Sequence, residues 1–171
     1  MSTIVKDDVT DEDKYRILFE EMYKICKKNN WGDPFSYARS REIHMASLLG
    51  HQIADTYSGA DAYDKDNNSL EYKSTICDKI NGTYNGISVQ NTWEEQEEYI
   101  RNKKIGPYIH YIARYKGPNI VECWKLSGNT VVNILLPKIE KQYHKEKRGR
   151  DPRIGITLTK GEIYKFGERI I

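Results

Sequence analysis

Two stretches of this chain read only as β-hairpins, and together they dictate a sheet. In the first, Ala60 to Asp64 and Leu70 to Thr75 flank the turn-prone Lys65, Asp66, Asn67 and Asn68. In the second, Tyr108 to Tyr115 and Ile120 to Leu126 are rich in β-branched and aromatic residues and are separated by Lys116-Gly117-Pro118-Asn119. A sheet of at least four strands follows.

The segments around the hairpins have helical spacing instead. Thr10, with Asp13 in a capping-box-like position, opens a helix whose Ile17, Leu18, Met22, Ile25 and Cys26 recur at helical intervals until Asn29, Asn30 and Gly32. Ile43, Ala46, Leu49 and Ile53 predict a second helix from Ser36 or Ser40 to Asp55. Thr92 and Glu95 form a capping box for a third, running past Trp93, Tyr99 and Ile100 to about Lys104, where Gly106 and Pro107 end it. Val131 to Tyr143 is apolar and then amphipathic, and Ile154 to Phe166 holds a short alternating run that predicts a last strand. The expected fold is α/β (α+β), a mixed central β-sheet flanked by helices. With no linker or repeat, residues 1–171 form a single domain.

Charge is distributed unevenly along the chain. The formal net charge of +2 gives no strong pull towards a polyanion, yet Asp7, Asp8, Asp11, Glu12 and Asp13 make the start acidic. Lys138, Lys141, Lys145, Lys147, Arg148, Arg150 and Arg153 make the densest basic segment. Phosphate contacts are its simplest use, and Arg148 and Arg150 beside Gly149 have the reach to read guanine edges; the alternative is a solvated helix end with cations matched to its dipole. Cys26, Cys77 and Cys123 are odd in number and lack CxxC spacing, which argues against a disulfide framework and a zinc site and predicts a reducing, cytoplasmic setting. No apolar run approaches the roughly 20 residues needed to span a bilayer, and no signal peptide is expected.

The chemistry concentrates in the first hairpin. Strand alternation puts Glu71 and Lys73 on one face and Leu70 and Tyr72 on the other. A turn centred near Asn67 sets Asp61 opposite Lys73, with Glu71 diagonally adjacent. Neighbouring carboxylates repel, and a divalent cation relieves them. All-oxygen ligation by Asp61, Glu71 and the Tyr72 carbonyl suits Mg²⁺, one or two ions per site. Such an ion and Lys73 suit attack of water on a phosphodiester. Asp64 is the competing first acid, facing the other way in an unbulged strand. Glu42 shares the inward stripe of Ala46, Leu49 and Ile53, and reads either as an acid at the site or as a first-turn charge complementing the helix dipole. Glu71 and Lys73 also admit the plainer reading of an exposed cross-strand ion pair. His44, His51, His110 and His144 have no metal-ligand spacing, though His110 lies on a strand able to face the site.

Gly59-Ala60-Asp61-Ala62, a short spacer and Glu71-Tyr72-Lys73-Ser74 resemble the PD-(D/E)XK, or restriction-endonuclease-like, nucleases over roughly Arg41 to Thr75. Alanine stands where the motif has proline, and the spacer is tight. The resemblance implies Asp61 and Glu71 as metal ligands, Lys73 as catalytic lysine and Glu42 as a helix-borne site acid. It further implies a Mg²⁺-dependent DNA endonuclease, of the type II restriction class, acting on double-stranded DNA as a homodimer, with a cognate methyltransferase working separately. A junction resolvase or repair nuclease is the nearest alternative, and a non-catalytic nucleic-acid-binding protein is the rival from another class.

Overall fold

The structure, a computed structural model, describes residues 9–55, 59–145 and 153–171. Helix α1 (Asp11–Lys28) starts at Thr10, whose side chain accepts the Asp13 amide. Helix α2 (Arg39–Leu49) follows. Short strands β1 (Gln52–Ile53) and β2 (Ala62–Tyr63) lead to β3 (Ser69–Thr75) and β4 (Gly82–Ile87). Helix α3 (Trp93–Tyr99) has the reciprocal Thr92–Glu95 capping box and continues as a π-helical turn, Ile100–Lys104. Then come β5 (Ile109–Lys116), β6 (Asn119–Ser127), α4 (Gly128–Tyr143), β7 (Ile154–Leu158), α5 (Lys160–Phe166) and β8 (Glu168–Arg169).

Among the described residues the main sheet has six strands in the order β1-β2-β3-β5-β6-β8. Strands β3 and β5 run parallel, the other neighbours antiparallel, so the sheet is mixed. The parallel pair needs a long crossover, and β4, α3 and the π-helical turn supply it. Strands β4 and β7 form a separate two-stranded ribbon.

Side chains alternate across the sheet into two apolar clusters among the described residues. Leu70, Tyr72, Tyr111, Ala113, Tyr115 and Cys123 point to one face and meet Met45 and Ala46 of α2. Ile112 and Leu126 point to the other and meet Val131, Val132, Leu135 and Ile139 of α4, Ile163 of α5 and the β4–β7 ribbon. The sheet thus lies between α2 on one side and α4 with α5 on the other, an α+β arrangement.

Both expected hairpins form, around Asn67 at φ 62 and Gly117 at φ 58. The second helix is shorter than its periodicity predicts, because Gly50 takes the left-handed conformation at φ 69 and stops it; Ile53 is buried from β1 instead. Strand β4, α5 and β8 were not anticipated. Arg39 is a buried cation, 1% exposed, whose guanidinium donates to the carbonyls of Trp31 (2.6 Å) and Ala54 and pairs with Glu42 at 3.2 Å. It ties the segment between α1 and α2 to the end of β1. Cys26 and Cys123 are buried, Cys77 is exposed, and all three are free thiols. Among the described residues no helix is long and apolar enough to cross a membrane.

The segment that follows the π-helical turn packs against the start of α4 at Gly128 and back on the turn itself at Gly106, with no room for a side chain at either glycine. A Cβ on Gly128 would overlap the carbonyl oxygens of Gly106 and Tyr108, and one on Gly106 would overlap that of Arg101. Gly161, in α5, faces open space. Gly106→Ala and Gly128→Ala should each destabilise by about 1–3 kcal/mol in urea unfolding. Gly161→Ala should stabilise by about 0.5 kcal/mol, since alanine loses less entropy in a helix.

Candidate active site

Strand β3 carries the site. Leu70 and Tyr72 are fixed in the α2-side cluster, which turns Glu71 and Lys73 to the opposite face, half-buried at 17% and 22% side-chain exposure. The Lys73 ammonium is in direct contact with Glu71 Oε1. The parallel register puts His110 beside Glu71 and Ile112 beside Lys73.

Asp61 lies just before β2, where the ladder is closing. Its amide donates to the Leu70 carbonyl at 2.9 Å, and its own carbonyl accepts from Ala54. The paired register ends at Ala62–Leu70, and the Asp61 amide reaches the carbonyl of that same Leu70, so Asp61 stands at the level of Leu70 and Glu71 rather than opposite Lys73 as the turn position suggested. The Tyr72 amide donates to Asp61 Oδ2 at 2.7 Å. In a ladder the N–H and C=O of one residue face the same neighbour, so the Tyr72 carbonyl is also directed past the end of β2, to the side of Asp61. Burial, then the negative charges of Glu71 and Glu42, push the Asp61 carboxyl up to about 7; the Tyr72 amide and the Lys73 ammonium pull the other way. The sequence-derived quartet Glu42, Asp61, Glu71 and Lys73 therefore forms one electrostatic unit.

Glu42 lies on α2, on the approach to Asp61. It lies in the first turn of α2, paired with Arg39, and its charge is felt at Asp61. Asp64 has a local task instead: its carboxylate accepts from the amides of Asp66 and Asn68 and from the Asn68 side chain, closing the hairpin turn. Those bonds hold its carboxyl below the usual range.

Two supporting residues escaped the sequence reading, one of them wholly. His110, fully buried, has Nε2 3.0 Å from the Ile105 carbonyl and Nδ1 2.9 Å from the Tyr84 hydroxyl. A carbonyl only accepts, so Nε2 carries the proton, Nδ1 accepts and Tyr84 donates. Burial lowers the imidazole to about 4 and keeps it neutral. The Tyr84 ring so fixed lies 5.1 Å from Lys73 Nζ, a cation–π distance. The signal for Tyr84 was the alternation of Gly82 and Tyr84 inward with Thr83 and Asn85 outward along β4.

The basic segment divides. Lys138 turns inward, donating to the Thr157 carbonyl (3.1 Å) and pairing with Glu162 (2.7 Å). Lys141 and Lys145 are exposed at the end of α4, and Arg153 is exposed just before β7. Lys147, Arg148 and Arg150 lie outside the described residues.

Among the described residues no cluster of three or more His, Cys, Asp or Glu side chains is arranged to hold an ion unaided. Asp61, Glu71 and the Tyr72 carbonyl offer a smaller all-oxygen set, which fits Mg²⁺, an ion that keeps several waters and binds through one or two carboxylates. No protein-family model matches the chain, and no curated protein matches it at a significant level.

Because the Asp61 carboxyl binds its proton more tightly in the folded state, its contribution to stability is complete below its ordinary pKa of 3.8 and is lost as the pH rises through about 7. Metal-free protein should therefore lose stability across that window, by at most about 1.4 kcal/mol per pH unit from this group. Asp61→Asn, which keeps an acceptor for the Tyr72 amide, should flatten the profile. Mg²⁺ at pH 8 should raise the melting temperature of the unsubstituted protein and leave that of Asp61→Asn unchanged. Parallel pH profiles for the two proteins in urea titrations with EDTA would remove Asp61 from the centre of the site.

Proposed function

We propose that this protein is a Mg²⁺-dependent DNA endonuclease with a restriction-endonuclease-like fold, cutting phosphodiester bonds in double-stranded DNA as a homodimer. The observation that carries the reading is the convergence of Asp61 and Glu71 at the β2–β3 edge, with Lys73 on Glu71 and a proton affinity at Asp61 raised by burial and then by its acidic neighbours. Such a site favours a bound cation over two free charges. Asp61, Glu71 and the Tyr72 carbonyl would hold the ion, which supplies an activated water and neutralises charge on the phosphoryl oxygens.

The chain's own groups complete the chemistry. Lys73, now in contact with Glu71, would present its ammonium to the non-bridging oxygen on which charge grows. The Tyr84 ring limits where that ammonium can go, and His110 fixes the ring. Glu42 keeps the field at Asp61 negative and favours cation capture. Lys141, Lys145 and Arg153, with Lys147, Arg148 and Arg150 between them in sequence, would contact the DNA backbone. A type II restriction enzyme, with a separate cognate methyltransferase, is the specific form proposed.

A non-catalytic DNA-binding protein is favoured by one observation, the Lys73–Glu71 contact, which is also how an ordinary ion pair looks. Incubation with duplex and branched DNA separates the readings. With Mg²⁺ the protein should cut duplex DNA into discrete fragments, with EDTA it should not, and Lys73→Ala or Asp61→Asn should slow cutting by about 100-fold or more. Cutting confined to branched DNA would identify a junction resolvase, and binding without cleavage under every divalent metal would overturn the enzymatic reading.

A further inference from the structure

The face of the sheet that carries Glu71 and Lys73 holds a second group of polar side chains, which the chemistry above leaves unused. Ala62, Leu70 and Ile109 pack in the α2-side cluster, so their neighbours Tyr63, Ser69 and Tyr108 turn to the opposite face. Tyr63 is registered with Ser69 on one side of β3. On the other side Tyr108 immediately precedes Ile109, the partner of Leu70, which brings it to the level of Ser69. The Tyr108 ring lies 6.5 Å from that of His110, which stands beside Glu71, and Tyr63 is within electrostatic reach of the Tyr108 hydroxyl.

The fold does not use these hydroxyls. Tyr63, Ser69 and Tyr108 are half-buried, and their hydroxyls make no hydrogen bond to the described residues. Among the described residues Gln96 Nε2 is the one buried side-chain polar atom without a partner, so the three hydroxyls open to solvent. Burial, then the negative charges of Glu71 and Asp61, raise the Tyr108 phenol, which therefore keeps its proton and acts as a donor. A row of neutral donors beside two carboxylates suits an anion. It can hold phosphoryl oxygens without cancelling the negative charge that draws a cation to Asp61 and Glu71, as a lysine there would. Ser69 and Glu71, two residues apart on one strand, are separated by about 7 Å, comparable to the spacing of consecutive phosphates along a nucleic acid strand.

We propose that Tyr63, Ser69 and Tyr108 form a subsite for the phosphate next to the one that is cut, which makes the substrate a polynucleotide strand and not an isolated phosphoester. The inference rests on the reading of Asp61 and Glu71 as the acids that gather a cation and the reacting phosphate. Tyr63 and Tyr108 donate from the two sides of β3, and Ser69 donates from the strand between them. Contacts of this kind fix the register of the strand on the protein and read no bases.

Calorimetric titration of the full chain in Mg²⁺, with thymidine 5′-monophosphate and with thymidine 3′,5′-bisphosphate, tests it without a cleavage assay. The bisphosphate should bind the unsubstituted protein about tenfold more tightly, since its second phosphate meets the hydroxyl row. Tyr63→Phe combined with Tyr108→Phe keeps both rings and removes both phenolic donors, and the ratio of the two affinities should fall to about one. Ser69→Ala alone should lower that ratio about threefold, which keeps the test decisive if the double variant does not unfold cooperatively. Equal affinity of the unsubstituted protein for the two ligands would overturn the proposal. So would a preference that survives loss of the hydroxyls, the result expected if the rings merely stack on a base. A hydroxyl-dependent preference in a protein that cuts no DNA would uphold the subsite and remove the nuclease reading, and cleavage without such a preference would do the reverse.

Discussion

The two-sidedness of β3 is the constraint on which the site depends. Leu70 and Tyr72 are held between α2 and the sheet, so the strand cannot rotate or slip by one residue without driving the charged Glu71 and Lys73 into the apolar cluster. With that face fixed, Glu71 and Lys73 have one direction left to point. Register with β5 then delivers His110, and the fading ladder with β2 delivers Asp61. The Tyr72 amide makes the link explicit: its ring belongs to the core, and its backbone binds the most strongly perturbed acid of the site.

Surrounding packing amplifies this arrangement. The Lys73 ammonium lies between Glu71 and the Tyr84 ring, a position that limits its reorientation and aims it along the sheet edge. Tyr84 comes from the separate β4–β7 ribbon, so its hydrogen bond with His110 and its contact with Lys73 both bridge the two sheets. The carboxylates lie near one ammonium, and burial together with the negative charges of Glu71 and Glu42 is expressed as the raised proton affinity of Asp61.

Much of this was legible from local patterns. Alternation in residues 70–75 gave the facing of Glu71 and Lys73, and Asn67 and Gly117 gave the turns, because both signals are carried by neighbouring residues. The register of the first hairpin was placed two residues off, since a turn of several residues does not determine how many belong to it; the Asp64 bonds to Asp66 and Asn68 decide that. The second helix was overextended because Ile53 keeps helical phase by coincidence while Gly50 takes a conformation that breaks it. Strand β4 went unread because its partner, β7, lies some seventy residues away (Tyr84 pairs with Ile156), and Gly82, Asn85 and Gly86 weaken its intrinsic strand signal. The buried Arg39 was equally silent, as nothing in its neighbours announces that carbonyls from Trp31 and Ala54 will converge on it.

Arg39 also limits how far its helix can move. A guanidinium presents its donors in a fixed planar fork. Because that fork spans the carbonyls of Trp31 and Ala54, α2 is tied both to the segment that leads into it and to the one that leaves it, and the turn that carries Glu42 is held on the approach to Asp61. One side chain thereby fastens three separate stretches of backbone that have no strand or helix in common.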